Sequence, residues 1–384
     1  ILFSVVWSST IFVNDIYILC GARLIFGVAN GFQDVVSGIY TVENCSTNFR
    51  GILGSIVALT NFAALFIEYT IASYFSYHAT AIVNTIMSAC VFATFYFSLE
   101  TPYFLIMKGK YEKAKKNLIW LSGDVYPVKV ADELRQIEQS VSEEKLKTKS
   151  LKLLFSSSAN LMGIFIILFL HILQMATGFS CFVTYASMIF SPSESFTEND
   201  FTILFGIGQL ISVAIAPFII EKIDRRFLMI LCFIGMTFSN ICSGVLIYMQ
   251  NHSHKILGYP WLLFTSVNIY GMSCSMTASL LYALKGELLP MSVRAIGSSI
   301  GVGAHSLTSF LLTKVFFPIK ENFGMEVNFV IFSTVSLLAT IFIYFILPET
   351  RGRTLHELQN SKEGERVEME NTSDNKCESK YVFA

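Results

Sequence analysis

The chain has 384 residues, of which 53% are hydrophobic and 14% charged, and its formal net charge is −1. Soluble domains carry about 25% charged residues, so this composition excludes an ordinary soluble fold. A near-zero net charge also excludes an electrostatic hold on nucleic acid.

The charges are unevenly placed. Residues 99–157 and 348–384 hold 33 of the 55 charged side chains, which leaves 22 for the other 288 positions. Hydrophobic runs bounded by charges or turn residues fall at about 1–13, 17–40, 51–74, 79–98, 158–190, 201–220, 227–250, 259–284, 295–318 and 327–347. A helix of about 20 apolar residues spans a bilayer, and only a helix satisfies its own backbone there. The prediction is therefore an all-α polytopic membrane protein with about ten helices. The opening run starts at Ile1 and is followed by further spans with no cleavage-site pattern, so it reads as part of a membrane domain and not as a signal peptide. The eight Cys are scattered without a CxxC pair, and they read as small apolar residues; neither disulfide nor metal is expected.

Lys and Arg set the orientation. Segment 99–157 carries eleven, the tail after Pro348 six, and loop 221–226 adds Lys222, Arg225 and Arg226. Arg50, Lys285 and Arg294 lie at helix ends on the same side, and the opposite face shows only Lys255, Lys314 and Lys320. The rich side is expected to be cytoplasmic. Four segments follow: 1–98, an incomplete N-terminal membrane half of about four helices; 99–157, a central cytoplasmic loop; 158–347, a C-terminal half of six helices; and 348–384, a cytoplasmic tail. Within the loop, Tyr111, Ala114, Leu118 and Leu121 recur at helical spacing, with Gly123 as the stop. Val130, Leu134, Ile137 and Val141 form a second apolar stripe. Residues 359–384 are polar and acidic, a composition that predicts disorder.

Residues 43–56 (ENCSTNFRGILGSI) and 287–300 (ELLPMSVRAIGSSI) each set Glu seven positions before Arg at a Gly/Ser-rich helix start, 244 residues apart. LETPYFL at 99–105 and PETRGRTL at 348–355 repeat at an offset of 249. Two echoes in the same order predict two homologous halves, a known transporter design. Projecting the spacing of the second half onto the first predicts a start about 86 residues before Ile1. That stretch has room for two more spans, which makes twelve helices in two sets of six.

These motifs resemble the sugar-porter branch of the major facilitator superfamily, and within it the facilitated trehalose transporter-like proteins. Arg23, Gly27 and Gly31 fit the Arg and Gly pattern of the family's fourth helix. Tyr40, Glu43, Arg50 and Gly51 fit the YxxE…RG loop, and Glu100 and Pro102 fit the PESPRWL position. EKIDRRFL at 221–228 fits DxxGRR with Glu221 for Asp and Asp224 for Gly; Glu287, Pro290 and Arg294 fit the second-half E…P…R, and PETRGRTL fits the terminal PETKG. The resemblance implies a major facilitator fold and movement of a sugar, hexose or trehalose-like, by alternating access. It implies no cofactor, a solute partner within a lipid bilayer, a monomer, and a multi-pass protein of the plasma membrane.

Three groups of residues carry the functional expectation. Glu43, Arg50, Glu100, Glu221, Arg225, Arg226, Glu287, Arg294 and Glu349 lie at cytoplasmic helix ends, where they make a gating charge network or serve as plain positive-inside anchoring. The pocket is expected at Gln174, Ser180, Tyr185, Tyr282 and His305, because LQMATGFSCFVTYAS aligns with the family's QQxSGxNxxxYY. Met175 replaces the second Gln and Ser180 the Asn; Leu281-Tyr282 replaces the tenth helix's PW and His305-Ser306 the eleventh's Asn-Trp. Sugars need paired donors and acceptors plus an aromatic ring, so a same-fold carrier of another solute, or a non-transporting sensor or degenerate paralogue, stands as the alternative. Arg23 and Glu68 are coupling candidates, with Glu68 equally readable as a residue snorkelling to water. His171 reads as pore-lining or as a packing histidine. Asn251, in Asn-His-Ser, is the expected glycan acceptor on the outer face, whereas the sequons at Asn44 and Asn371 face the cytosol. There is no paired carboxylate, nucleophile triad or phosphate loop, and the chain is not read as an enzyme.

Overall fold

The structure, a computed structural model, describes residues 2–13, 15–43, 50–121, 134–135, 137–139, 141–142, 158–190, 193, 196–252, 256–289 and 291–349. These residues form helices and short connections, with no strand among them. Four helices come first: α1 (Leu2–Phe12), α2 (Ile16–Glu43), α3 (Arg50–Tyr74) and α4 (Tyr77–Phe97). Two short ones follow, α5 (Pro102–Met107) and α6 (Tyr111–Leu121). The remainder comprises α7 (Ser158–Ala176), α8 (Phe179–Ile189), α9 (Glu198–Ile220), α10 (Arg225–Asn251), α11 (Tyr259–Leu288), α12 (Met291–Phe323) and α13 (Met325–Ile346). Eight helical stretches are long and apolar enough to cross a membrane, counting α7 and α8 as one. The helix α11 has the length, at 30 residues, but is not among them.

Local chemistry sets the helix boundaries. The Ser76 hydroxyl accepts the Ala79 N–H at the start of α4, and Thr101 caps α5 through the Phe104 N–H with Pro102 at the first turn. Thr197 and Asp200 make a reciprocal capping box on α9. The repeated Glu/Arg motif lands on matching junctions: Glu43 ends α2 and Arg50 starts α3, just as Glu287 lies at the end of α11 and Arg294 at the start of α12.

The fifth run departs from one continuous helix. It breaks at Gly178, whose φ of 105° is left-handed, and Tyr185 departs from helical geometry again at φ −114°. A Cβ on Gly178 would lie 2.6 Å from the Phe332 ring, so both the backbone and the packing demand glycine there. Helical spacing between Gln174 and Ser180 therefore does not carry across the break.

Helices α1 to α4 pack among themselves, with α1 against α2 and α4. The larger bundle is built on α10 against α11 and α13, α9 against α11, and α7 against α12. Its core runs through Phe182, Phe201, Phe205, Phe233, Tyr270 and Phe329. Outward faces present Phe218, Phe238 and Phe345, each more than 60% exposed, which suits lipid and not water. The two bundles meet where α3 lies against α9 and α11 and α2 lies against α12. Across that seam Tyr69 donates to the Val183 carbonyl at 3.2 Å, and the Phe62 and Phe179 rings sit 6.2 Å apart. On the Lys/Arg-rich end, Leu105, Ile106, Ala114 and Val141 form a separate small core with Leu134 and Ile137 packed against it. Both predicted apolar stripes of the loop thus meet, where described; Val130 and residues 359–384 lie outside the described residues.

Candidate functional site

Polar side chains gather around residues 270–274 of α11. Gln174, one turn before the Gly178 break, donates from Nε2 to the Cys274 carbonyl at 3.4 Å. Thr177 bonds the Tyr270 hydroxyl at 2.9 Å, and the Tyr270 ring stacks on Phe182 at 4.2 Å. From the other side, Ser212 of α9 donates to the Met272 carbonyl at 2.7 Å. Gln209, one turn earlier on α9, is fully buried beside Gly271, where an added Cβ would approach its Nε2 to 3.1 Å. Among the described residues, both amide atoms of Gln209 lack a protein partner, and so does the hydroxyl oxygen of the buried Ser180. Buried polar groups are almost always paired. A buried amide left open about one turn from the seam is a group waiting for a ligand or for water. Sequence reasoning passed over Gln209; an amide in the middle of the apolar run 201–220 was the available signal.

A second cluster lies toward the Lys/Arg-rich end. His171 holds its Nδ1 2.9 Å from the Ile167 carbonyl, an intrahelical bond of a packing histidine, and its ring is 6.0 Å from that of His305 on α12. Tyr282 of α11 accepts from Asn61 of α3 at 3.4 Å, a hydrogen bond that joins the bundles. It packs with Phe62, Phe179 and Val213. The Lys285 ammonium lies 4.9 Å from the Tyr282 ring centroid. Gln174, Tyr282 and His305 thus share one tract along α7, α11 and α12. Tyr185 does not join it. Its hydroxyl reaches the Thr313 carbonyl at 3.4 Å and its ring stacks on Phe316, and eight residues separate Thr313 from His305, about 12 Å along a helix.

Of the expected charge network, Glu349 has a defined role. Its carboxylate accepts the backbone N–H groups of Arg225 and Arg226 at 3.2 and 3.1 Å, capping α10 from the end of α13. Asp224, at the N-cap position itself, makes no side-chain cap. The Arg226 guanidinium donates to the Tyr344 carbonyl and lies 5.5 Å from that ring. Glu100 contributes its backbone carbonyl to Asn117 at 2.9 Å, and Glu221 is exposed at the end of α9. The side chains of Glu43, Arg50, Glu287 and Arg294 lie outside the described residues.

Glu68 is held by Asn84, whose amide nitrogen is 3.1 and 3.2 Å from its two oxygens, a bond between α3 and α4. Arg23 is exposed and lies 5.7 Å from the Trp7 ring. Asn251 ends α10 and donates to Glu326 at 3.1 Å; Asn44 and Asn371 lie outside the described residues.

A family model described as "Sugar (and other) transporter" matches residues 1–361. The chain is 25% identical over 360 residues to the facilitated trehalose transporter Tret1 of Bombyx mori, covering 93% of this chain and 71% of that one. It is 26% identical over 368 residues to Tret1 of Polypedilum vanderplanki, covering 94% and 72%. The structure superposes with a TM-score of 0.74 on the major facilitator proton:xylose symporter XylE bound to 6-bromo-6-deoxy-D-glucose, at 21% identity, covering 94% of this chain and 81% of that one. A partially occluded inward-open XylE from E. coli gives 0.71 at 20% identity, covering 87% and 71%.

Proposed function

Because the chain belongs to the sugar transporter family, with a major facilitator fold, we propose that it moves a hexose- or trehalose-sized sugar across a membrane by alternating access at the seam between its two bundles. The observation that carries the site is the open amide of Gln209, buried beside Gly271 and level with Gln174 on α11. Transporter solute sites lie near mid-membrane where the two repeats meet. Gln209, Gln174 and Ser180 supply donors and acceptors for sugar hydroxyls, and Tyr282, about 12 Å further along α11 from Cys274, supplies a ring for the sugar's passage toward the charged end. His305 lies further toward the charged end. Tyr185, set apart on α8 and α12, acts at the opposite end of the path and not on the solute's hydroxyls.

The Lys/Arg excess on the side of residues 99–157 and the tail supports a cytoplasmic C-terminus, and the plasma membrane is the setting we assign. The protein acts as a monomer in the bilayer. Glu349, by tying α13 to α10, fixes the charged end of its bundle as one body, and Glu43, Arg50, Glu287 and Arg294 complete the latch that opens when the bundles rock.

Reconstituted protein should take up labelled glucose or trehalose saturably and without ATP, and unlabelled sugar should compete. Gln209→Leu should weaken binding by roughly tenfold, the loss of buried hydrogen bonds worth about 1–3 kcal/mol. Sugar uptake absent in the wild type, or unaffected in Gln209→Leu, would overturn the assignment.

A further inference from the structure

Lys285 is the sequence's least explained charge. It lies within α11, one turn toward the Lys/Arg-rich end from Tyr282, with its ammonium over that ring at 4.9 Å. His171 of α7 and His305 of α12 lie within its electrostatic reach, their rings 6.0 Å apart. Across the seam, on α2, stands Asp34, close enough for its charge to act on Lys285. Among the described residues Lys285 makes no hydrogen bond and no ion pair, with Asp34 or any other group. Lys285 stands in the last turn of α11, where its charge complements the helix C-terminus. Yet it is enclosed beside Tyr282, and an enclosed ammonium with no contacting carboxylate among the described residues is costly. Here its surroundings are the path between the bundles: the Tyr282–Asn61 hydrogen bond that crosses the seam is one turn away.

We infer that Lys285 selects the solute by charge, and that the sugar this carrier moves bears a carboxylate, seated against the Lys285 ammonium between Tyr282 and His305. The inference rests on the sugar reading above and narrows it. A single ammonium opposed by a single carboxylate suits a monoanion. A phosphate dianion would meet the Asp34 charge with twice the repulsion and, among the described residues, no second fixed cation. The bound carboxylate would give Lys285 the contact that Asp34 does not make. The sugar ring would lie against Tyr282 and extend toward Gln174.

The test measures uptake of labelled glucose, glucuronate and lactate by the full chain in proteoliposomes, for wild type, Lys285→Met and Lys285→Arg. The wild type should favour glucuronate over glucose. Lys285→Met should lower the glucuronate-to-glucose ratio by roughly tenfold or more, the loss of one charge-assisted hydrogen bond, and Lys285→Arg should hold it. An unchanged ratio in Lys285→Met, or a wild type that takes glucose alone, overturns the charge selection and leaves the sugar reading standing. If Lys285 served only to attract Asp34, Lys285→Met and Asp34→Asn would change both sugars equally, which also overturns it. Uptake of lactate but of neither sugar overturns the sugar reading, and uptake of none of the three overturns both.

Discussion

Glu349→Ala removes the cap of α10. In the native protein two backbone N–H groups, those of Arg225 and Arg226, point at the two oxygens of one half-buried carboxylate at 3.2 and 3.1 Å. These are the first donors of a 27-residue helix, groups with no partner inside the helix. Losing a capping side chain costs about 1 kcal/mol, and losing a negative charge at a helix N-terminus about 0.3–1 kcal/mol more. A further contribution comes from untying the end of α13. The expected destabilisation is about 1.5–3 kcal/mol. For a chain of this size each kcal/mol moves Tm by about 1–2 °C, so Glu349→Ala should melt about 2–5 °C lower. Glu349→Gln keeps one acceptor oxygen and loses the charge, and should fall about midway. Both are read by thermal unfolding of the detergent-solubilised protein with a thiol-reactive dye, for which the buried Cys181, Cys232 and Cys274 serve as reporters. A Glu349→Ala variant that melts with the wild type, or a Gln variant that falls as far as Ala, would refute the capping argument.

Gln209→Leu should raise stability by about 1–3 kcal/mol while sugar affinity falls, because an apolar side chain replaces an unpaired buried amide; melting with and without sugar reads both effects, and a variant that loses stability contradicts the open-amide reading. Glu68→Gln should transport normally, since an amide still bonds Asn84, whereas a proton-coupling Glu68 would lose its acid-driven uptake on that change. Gly178→Ala should cost about 3 kcal/mol or more, combining a left-handed φ of 105° with a Cβ 2.6 Å from Phe332; normal expression and melting would argue that the break is not needed. Expression in eukaryotic cells should place glycan on Asn251 and none on Asn44 or Asn371. That glycan would occupy the nitrogen now bonded to Glu326, and modification of Asn44 or Asn371 would reverse the orientation.

Much of the fold was legible because the bilayer leaves the sequence few options. Nine of the ten predicted runs became single helices near their expected limits, the fifth being split at Gly178, and the Glu/Arg repeat marked the same helix junction in both halves. The break at Gly178 was not legible, since a glycine within an apolar run is equally compatible with a continuous helix. Only the Phe332 ring against its Cα shows why glycine stands there. The site was read in part. Family motifs pointed to Gln174, Tyr282 and His305 as candidates, but not to the neighbours the structure gives them. Cys274 offers Gln174 only its backbone, and Asn61 lies 221 residues from Tyr282. Glu68 illustrates the same limit: no local pattern identifies Asn84, one helix further on, as its partner. Lys285, counted first as one more orienting charge, acquired meaning once Tyr282, His305 and Asp34 surrounded it.

The composition of α11 ties these points together. It is long enough to cross a membrane, yet it carries too many Ser, Thr, Asn and Tyr residues to rank with the eight apolar stretches. Lipid would penalise such a helix. Enclosure by α3, α7, α9 and α10 removes that penalty, and its neighbours use its polarity: Ser266 bonds Ser239 and Ser243 of α10, Tyr270 bonds Thr177, and the Met272 and Cys274 carbonyls accept from Ser212 and Gln174. Were packing the whole purpose, these bonds would close the account of buried polar groups around α11. They do not: among the described residues the Gln209 amide at Gly271, the Asn240 amide of α10 and the Asn268 side-chain oxygen of α11 remain open. The open Gln209 amide lies one helical turn or so from the seam that α3 makes with α9, where the proposed alternating-access cycle would move the two bundles against each other. An amide left open beside this polar helix is free to exchange its partner, and under the proposed function that partner is a sugar hydroxyl.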